Sequence, residues 1–253
     1  ENIDFGQVEE YGVTVLVPVI SATSANQAVN DNATIDPFSG VVLTILGNPN
    51  VTASITLDDN AKGTLSGTDL SGSGPYTIAS KSLSDMQSAI RALTFTPTEN
   101  RSATTETTTF TISINDGTTT SNDSNTTVIS SAVGPTITGI SIPNAPMKIG
   151  DVVTATITVD SDTDDYTLGA GGISGTLGGF TLGGLSRTNA TTYTATFTVT
   201  DGGTDVAAGS DIPVSVTLTD SGGKAGNTFG TAISQSTDAL DAHRPNVNSI
   251  VIT

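Results

Sequence analysis

Nearly every periodic stretch of this chain alternates apolar and polar residues with period two. Thr107-Thr-Thr-Phe-Thr-Ile-Ser-Ile114 and Thr192-Tyr-Thr-Ala-Thr-Phe-Thr-Val199 are the clearest cases. Successive side chains of a strand point to opposite faces, so such runs read as strands with Phe, Ile, Val or Ala turned to a core and Thr to water. The same pattern predicts strands at Val41 to Leu46, Val51 to Leu57, Thr126 to Ser130, Val152 to Val159 and Val214 to Thr219. Turn signals recur about every ten residues, as in antiparallel sandwiches. One segment departs from this period. Between Ser82 and Leu93, Met86, Ala89, Ile90 and Leu93 fall at helical spacing, with Ser84 as N-cap and Asp85 in the first turn. This predicts one short helix near 84–92 in an otherwise all-β chain of tandem antiparallel β-sandwich domains.

With 253 residues the chain is long enough for two such domains. A boundary is expected at Ala132-Val-Gly-Pro135, where a strand ends and a Gly-Pro pair opens a new segment. A repeat supports that division: Gly134 to Ile142 and Arg244 to Ile252 share the pattern Pro-x-apolar-x-x-Ile-x-Ile at an offset of 110 residues. The expected organisation is an N-terminal strand or linker at 1–20, sandwiches at 21–133 and 134–242, and at 243–253 the first strand of a following repeat or a donated strand.

Charge removes several function classes. Eight Lys plus Arg stand against 25 Asp plus Glu, a net charge of -17. That field repels nucleic acid and anionic membrane surfaces. The longest apolar run, Val13 to Ile20, carries Thr14 and Pro18 and is too short for a membrane span or signal peptide. Of the 25 acids 20 are Asp, whose short side chain suits tight loops and hard cations such as Ca²⁺. With no Cys, disulfides and thiolate metal sites are excluded.

The densest acidic stretch, Asp160-Ser-Asp-Thr-Asp-Asp165, follows the strand Val152 to Val159 directly. Asp160, Asp162, Asp164 and Asp165 crowd one loop and repel one another unless a cation sits among them. Counting strand reversals puts Asp220 and Asn227 at the same pole. The opposite pole is expected to collect Asp201 and Asp205 with Asp238 and Asp241, where calcium would stiffen the joint to a following module. Weaker candidates are Asn30, Asp31, Asn32, Asn115 and Asp116, with Asp58 and Asp59. None has EF-hand spacing, and Asp in a turn also serves simply to accept hydrogen bonds from its own loop.

Enzyme readings fail on inventory. His243 is the single histidine, in a linker beside Arg244 and Pro245, so no triad or histidine metal site can be assembled. The glycine-rich run from Leu168 to Leu185 has no Lys and no following helix, and reads as a flexible or closely packed strand pair rather than a phosphate loop. An aromatic content of 4 per cent without Trp leaves little for a glycosidase groove or for sugar stacking.

Several stretches carry a family likeness. Gln27 to Ser39, Ile55 to Thr64, Ala89 to Thr98 and Phe110-Thr-Ile-Ser-Ile-Asn-Asp-Gly117 resemble the cadherin-like repeats of large bacterial surface proteins. Ile142 to Thr156 and Leu218 to Asn227 resemble the immunoglobulin-like repeats of biofilm-associated and RTX-type adhesins. The resemblance implies extracellular sandwich modules, rigidified by Ca²⁺, that hold a distal domain away from the cell surface, with neighbouring repeats or identical subunits as partners. The junction 130–135 lacks the acidic linker of such arrays, and no RTX nonapeptide is present. The expected role is a non-catalytic extender of a surface adhesin. The alternatives are a subunit of a surface layer or filament assembled by strand exchange, and a carbohydrate-binding module.

Overall fold

The computed structural model describes residues 17–160, 165–235, 238–246 and 249–251. These residues fold as strands with one α-helix and one 3-10 turn, so the chain is all-β. They form two compact units. The first comprises the described part of Glu1–Val29, with Ala33–Pro97 and Thr107–Ser130. The second takes in Asn30–Asn32, Thr98–Glu106 and the described residues from Ser131 onward.

In the first unit the strands are β1 (Val19–Ser21), β2 (Gln27–Asn30), β3 (Val42–Thr44), β4 (Val51–Leu57), β5 (Gly63–Ser66), β6 (Leu70–Ser71) and β7 (Tyr76–Lys81). After the helix α1 (Leu83–Arg91) come β8 (Thr94–Pro97), β9 (Thr105–Asn115), β10 (Thr120–Asp123) and β11 (Thr127–Ser131). The main sheet runs β2-β11-β9-β4-β7-β6, with β10 also on β9, and β1-β3 and β5-β8 make separate antiparallel pairs. The alternation that predicts β9 is realised side chain by side chain: Phe110, Ile112 and Ile114 are fully buried while Thr111 and Ser113 between them are only partly so. They meet Phe38, Ile55 and Phe95 in one core, which α1 closes with Leu83, Met86 and Ile90.

The helix is capped two residues earlier than expected. Ser82, not Ser84, caps it: the Ser82 hydroxyl accepts from the Asp85 amide at 3.2 Å and donates to the Asp85 carboxylate at 2.7 Å. Such a reciprocal box needs an acceptor three residues on. Ser84 has Gln87 at that spacing, but the Gln87 side chain is committed to the Leu43 amide at 2.9 Å.

The second unit contains β12 (Ile137–Ser141), β13 (Met147–Lys148), β14 (Val152–Val159), β15 (Gly172–Leu177) and β16 (Phe180–Thr181). They are followed by β17 (Gly183–Asn189), β18 (Thr192–Thr198), β19 (Val214–Thr219) and β20 (Leu240–Asp241). One sheet has the order β12-β14-β18-β17 and another β16-β15-β19. Bridges Val216↔Phe229 and Ile212↔Ile233 add residues 228–233 beside β19. Leaving aside the two-residue β13 and β16, the first, second, fifth and fourth strands share one sheet, and the third, the sixth and the returning segment share the other. That is the strand order of the immunoglobulin sandwich.

Val153, Ala155, Ile157 and Val159 of β14 face inward with Tyr193, Ala195 and Phe197 of β18, and the register Thr154↔Thr196, Thr156↔Thr194 and Thr158↔Thr192 lines the outer face with hydroxyls. The Tyr166 and Tyr193 rings stack at 5.2 Å, and the Tyr193 hydroxyl accepts from the buried Tyr166 amide at 3.2 Å. The glycine-rich run becomes β15, β16 and β17, closely packed strands. Gly175 is required where it stands, because its φ is +111° and a Cβ there would lie 2.0 Å from the Ser215 carbonyl oxygen.

Candidate functional site

The two ends of β14 separate the acidic residues of the second unit into two groups. β14 finishes at Val159, and the register Gly172↔Thr219 sets the entry of β15 beside the exit of β19. The Ala170 amide donates to the Ser221 carbonyl at 3.0 Å, so 165–171 and 220–221 run side by side at this pole. The pole therefore holds Asp160, Asp165 and Asp220, the grouping expected from strand counting. Asp162 and Asp164 lie outside the described residues.

The three described carboxylates differ in what satisfies them. Asp160 is anchored through its own amide to the Thr136 carbonyl at 3.1 Å, while its Oδ1 is buried with no hydrogen-bond partner among the described residues. Asp165 accepts from the Thr167 hydroxyl at 2.6 Å and amide at 3.0 Å. Those bonds, the hydroxyl first, with the charge of Arg187 adding to them against a little burial, hold its carboxyl below the ordinary Asp value. Asp220 is 2% exposed; its Oδ1 accepts from the Lys224 amide at 2.7 Å and its own amide donates to the Lys224 carbonyl, closing the turn after β19. Asn227 is exposed on the strand return beyond that turn. Among the described residues no group of three or more His, Cys, Asp or Glu is close enough to hold a metal ion.

At the opposite pole the chain supplies its own cations. Asp205 Oδ1 accepts from the Ala242 amide at 2.7 Å and lies 3.0 Å from His243 Nδ1. Asp201 pairs with Arg244 Nε at 3.2 Å, and Asp241 accepts from the His243 amide at 3.1 Å. The bond to Asp205 and its charge, with Asp201 and Asp241 adding to them, raise the His243 pKa above its usual value. The Ala242 amide and the His243 ring in turn lower that of Asp205. Asp238 is set apart, ahead of β20, only 6% exposed and with Oδ2 unpartnered among the described residues. By sequence alone His243 reads as a lone linker residue. The signal available was a His-Arg pair immediately after Asp238 and Asp241 in a chain with so few cations.

The weaker candidates are turn chemistry. Asp59 accepts from Ala61 and caps the 3-10 turn Asn60–Lys62, and Asp58 pairs with Lys62 at 2.6 Å. Asp116 accepts from the Thr118 and Thr119 amides at 2.8 and 2.7 Å, and Asn115 from Gly117 at 2.7 Å. Asp31 is 2% exposed and accepts from the Val133 amide at 3.0 Å. A groove of about 600 Å³ beside α1 is lined by Thr68, Ser80, Asp85 and Ser88 with the Lys81–Asp69 ion pair at 2.5 Å, and no aromatic ring enters it.

No protein-family model and no curated protein matches the chain. Among solved structures it is similar to the fibronectin(III)-like modules of Clostridium thermocellum CbhA, at 14% identity over 93% of this chain and 100% of that one, with a TM-score of 0.29. It is similar also to the C-terminal domain of the Streptococcus pyogenes antigen I/II-family protein AspA, at 12% identity over 88% and 100%, with a TM-score of 0.30. An endo-fucoidan hydrolase of glycoside hydrolase family 107 matches at 15% identity over 89% of this chain, with a TM-score of 0.30, and the chain spans 28% of that enzyme's length. The sandwich of the second unit is identified by its own strand order rather than by these likenesses.

Proposed function

We propose that this chain is a non-catalytic spacer of an extracellular surface protein, in which β-sandwich units in series provide length and calcium at the pole 160–165 and 220 adds stiffness. The observation that carries the reading is Asp160 Oδ1. It is buried with no partner among the described residues, in a sequence stretch with four carboxylates in six residues, at the pole that also holds the buried Asp220. An ionised oxygen removed from water without a partner is costly, and a hard cation satisfies it. At the opposite pole Asp201 and Asp205 are already paired with Arg244 and His243, and the buried Asp238 Oδ2, which has no partner among the described residues, stands apart from that cluster. Ca²⁺ also answers the net charge of -17, since an array of such units repels itself.

Thermal unfolding in millimolar Ca²⁺ and again in excess EGTA tests this. A ligand present at about 100 times its Kd adds roughly 2.7 kcal/mol to the folded state. That corresponds to a rise in Tm of several degrees, which Asp160→Ala is expected to abolish. Equal melting in both buffers would leave a spacer without metal.

A second reading concerns partners. In β12 Ile137 is buried, and Ile140, with Ile142 just beyond the strand, packs against the same core. At the offset of 110 residues these positions become Val247, Ile250 and Ile252, and Ile250 is 81% exposed. Residues 244–252 therefore suit the first-strand position of another sandwich, in the same array or in a second copy. Light scattering on the 253-residue chain separates the two: concentration-dependent dimers lost in Ile250→Asp support exchange between copies, and a monomer at all concentrations excludes it.

A further inference from the structure

The sequence predicts a domain boundary at 132–135, where a strand ends and a Gly-Pro pair opens a new segment. The second unit treats these residues differently. It takes in residues 30–32 and 98–106, and both segments bind the stretch that begins at Ser131. The Asp31 amide donates to the Ser131 carbonyl at 2.9 Å, and the Asp31 carboxylate accepts from the Val133 amide at 3.0 Å. The Ala132 amide donates to the Thr104 carbonyl at 2.9 Å. Consecutive amides, 132 and 133, are thus claimed by two segments far apart in sequence.

The other side of the stretch is held by close backbone packing. A Cβ at Gly134 would lie 2.4 Å from the Ala225 carbonyl oxygen, and one at Gly226 would lie 1.9 Å from that of Pro135. Segment 98–106 is seated on the same turn: a Cβ at Gly222 would meet the Asn100 carbonyl oxygen at 2.4 Å and the Arg101 carbonyl carbon at 2.8 Å. Within that segment Arg101 pairs with Glu106, and Asn100 takes a positive φ of 59°, which Asn tolerates better than most residues. Asp31 itself is 2% exposed, and a buried carboxylate that accepts a backbone N–H makes one of the stronger hydrogen bonds in a protein.

We propose that residues 131–135 are a stapled segment of the second unit, held by the Asp31 carboxylate, the Thr104 carbonyl and the glycine-lined turn 222–226. The staple needs no metal, so it stands whether or not calcium binds at the pole of Asp160. Its consequence is an ordered segment 131–135 in calcium-poor as well as calcium-rich surroundings.

Amide hydrogen exchange on the full chain in excess EGTA tests the staple and separates it from the calcium reading, which is judged by the difference between buffers. The Ala132 and Val133 amides are expected to be protected in EGTA. Asp31→Ala is expected to speed exchange at Val133 by roughly tenfold or more, the scale of one hydrogen bond to a charged group, and Asp31→Asn, which retains an acceptor oxygen, to recover part of it. Gly222→Val, which displaces residues 100–101 by sterics alone, is expected to raise exchange across both 98–106 and 131–133. Two results would overturn the proposal: wild-type amides 132 and 133 exchanging at the rate of an unstructured chain, or Val133 unaffected by Asp31→Ala with 131–133 unaffected by Gly222→Val.

Discussion

Phe110→Ala is expected to lower the stability of the first unit by about 3–5 kcal/mol. Phe110 is fully buried in β9 and its ring meets two others edge-on, Phe38 at 5.3 Å and Phe95 at 5.0 Å. Truncation removes the transfer energy of the ring and both edge-to-face contacts, and leaves a cavity that a sheet pinned by β4 and β11 collapses poorly around. A unit of this size changes Tm by several degrees per kcal/mol, so a calorimetric transition of the full chain is expected to shift by well over ten degrees. Phe110→Leu keeps most of the volume and is expected to lose about half as much or less. A shift of only one or two degrees for the alanine variant would show that these three rings are not the centre of the core.

Gly175→Val carries the second large effect, through backbone rather than volume. Gly175 sits in β15 opposite Val216 with φ at +111°, and its carbonyl accepts from the Leu182 amide at 3.1 Å. A β-branched residue at such a φ costs about 1–3 kcal/mol from conformation alone. Its Cβ would also fall 2.0 Å from the Ser215 carbonyl, so the ladder to β19 must open as well. Gly172 in the same strand is the internal control, because a Cβ there meets nothing within 4 Å and its φ is ordinary. Gly172→Ala is expected to stay within about 0.5 kcal/mol of wild type. If denaturant midpoints place the two variants together, the bend at Gly175 is not a fixed feature of the second unit.

The contrast between those two glycines bears on what a bare sequence can convey. Both lie in one glycine-rich run, and nothing local distinguishes the one that a neighbouring strand presses against from the one that faces open space. Period-two alternation, by comparison, is a local property of the pleat, and Val51–Leu57, Val152–Val159 and Val214–Thr219 appear as strands with their expected bounds. The helix was equally legible in its apolar spacing, but its cap was not. Choosing Ser82 over Ser84 depends on Gln87 being drawn to Leu43, 44 residues away.

The acidic residues divide in the same manner. Their placement at the two ends of β14 follows from counting strand reversals, because each tight turn returns the chain to the other pole. Their partners do not follow. Asp205 finds Ala242 and His243, Asp31 finds Val133, and Asp160 keeps a buried oxygen with none among the described residues. By itself the sequence determined an all-β fold, its strand positions and the loops that carry its negative charge, since these depend on side-chain period and turn chemistry over a few residues. Only the tertiary structure decided which carboxylates the chain satisfies internally and which oxygens, on Asp160 and Asp238, have no partner among the described residues, because hydrogen bonds form between atoms brought within about 3 Å, and folding makes neighbours of residues as far apart in sequence as Asp31 and Val133.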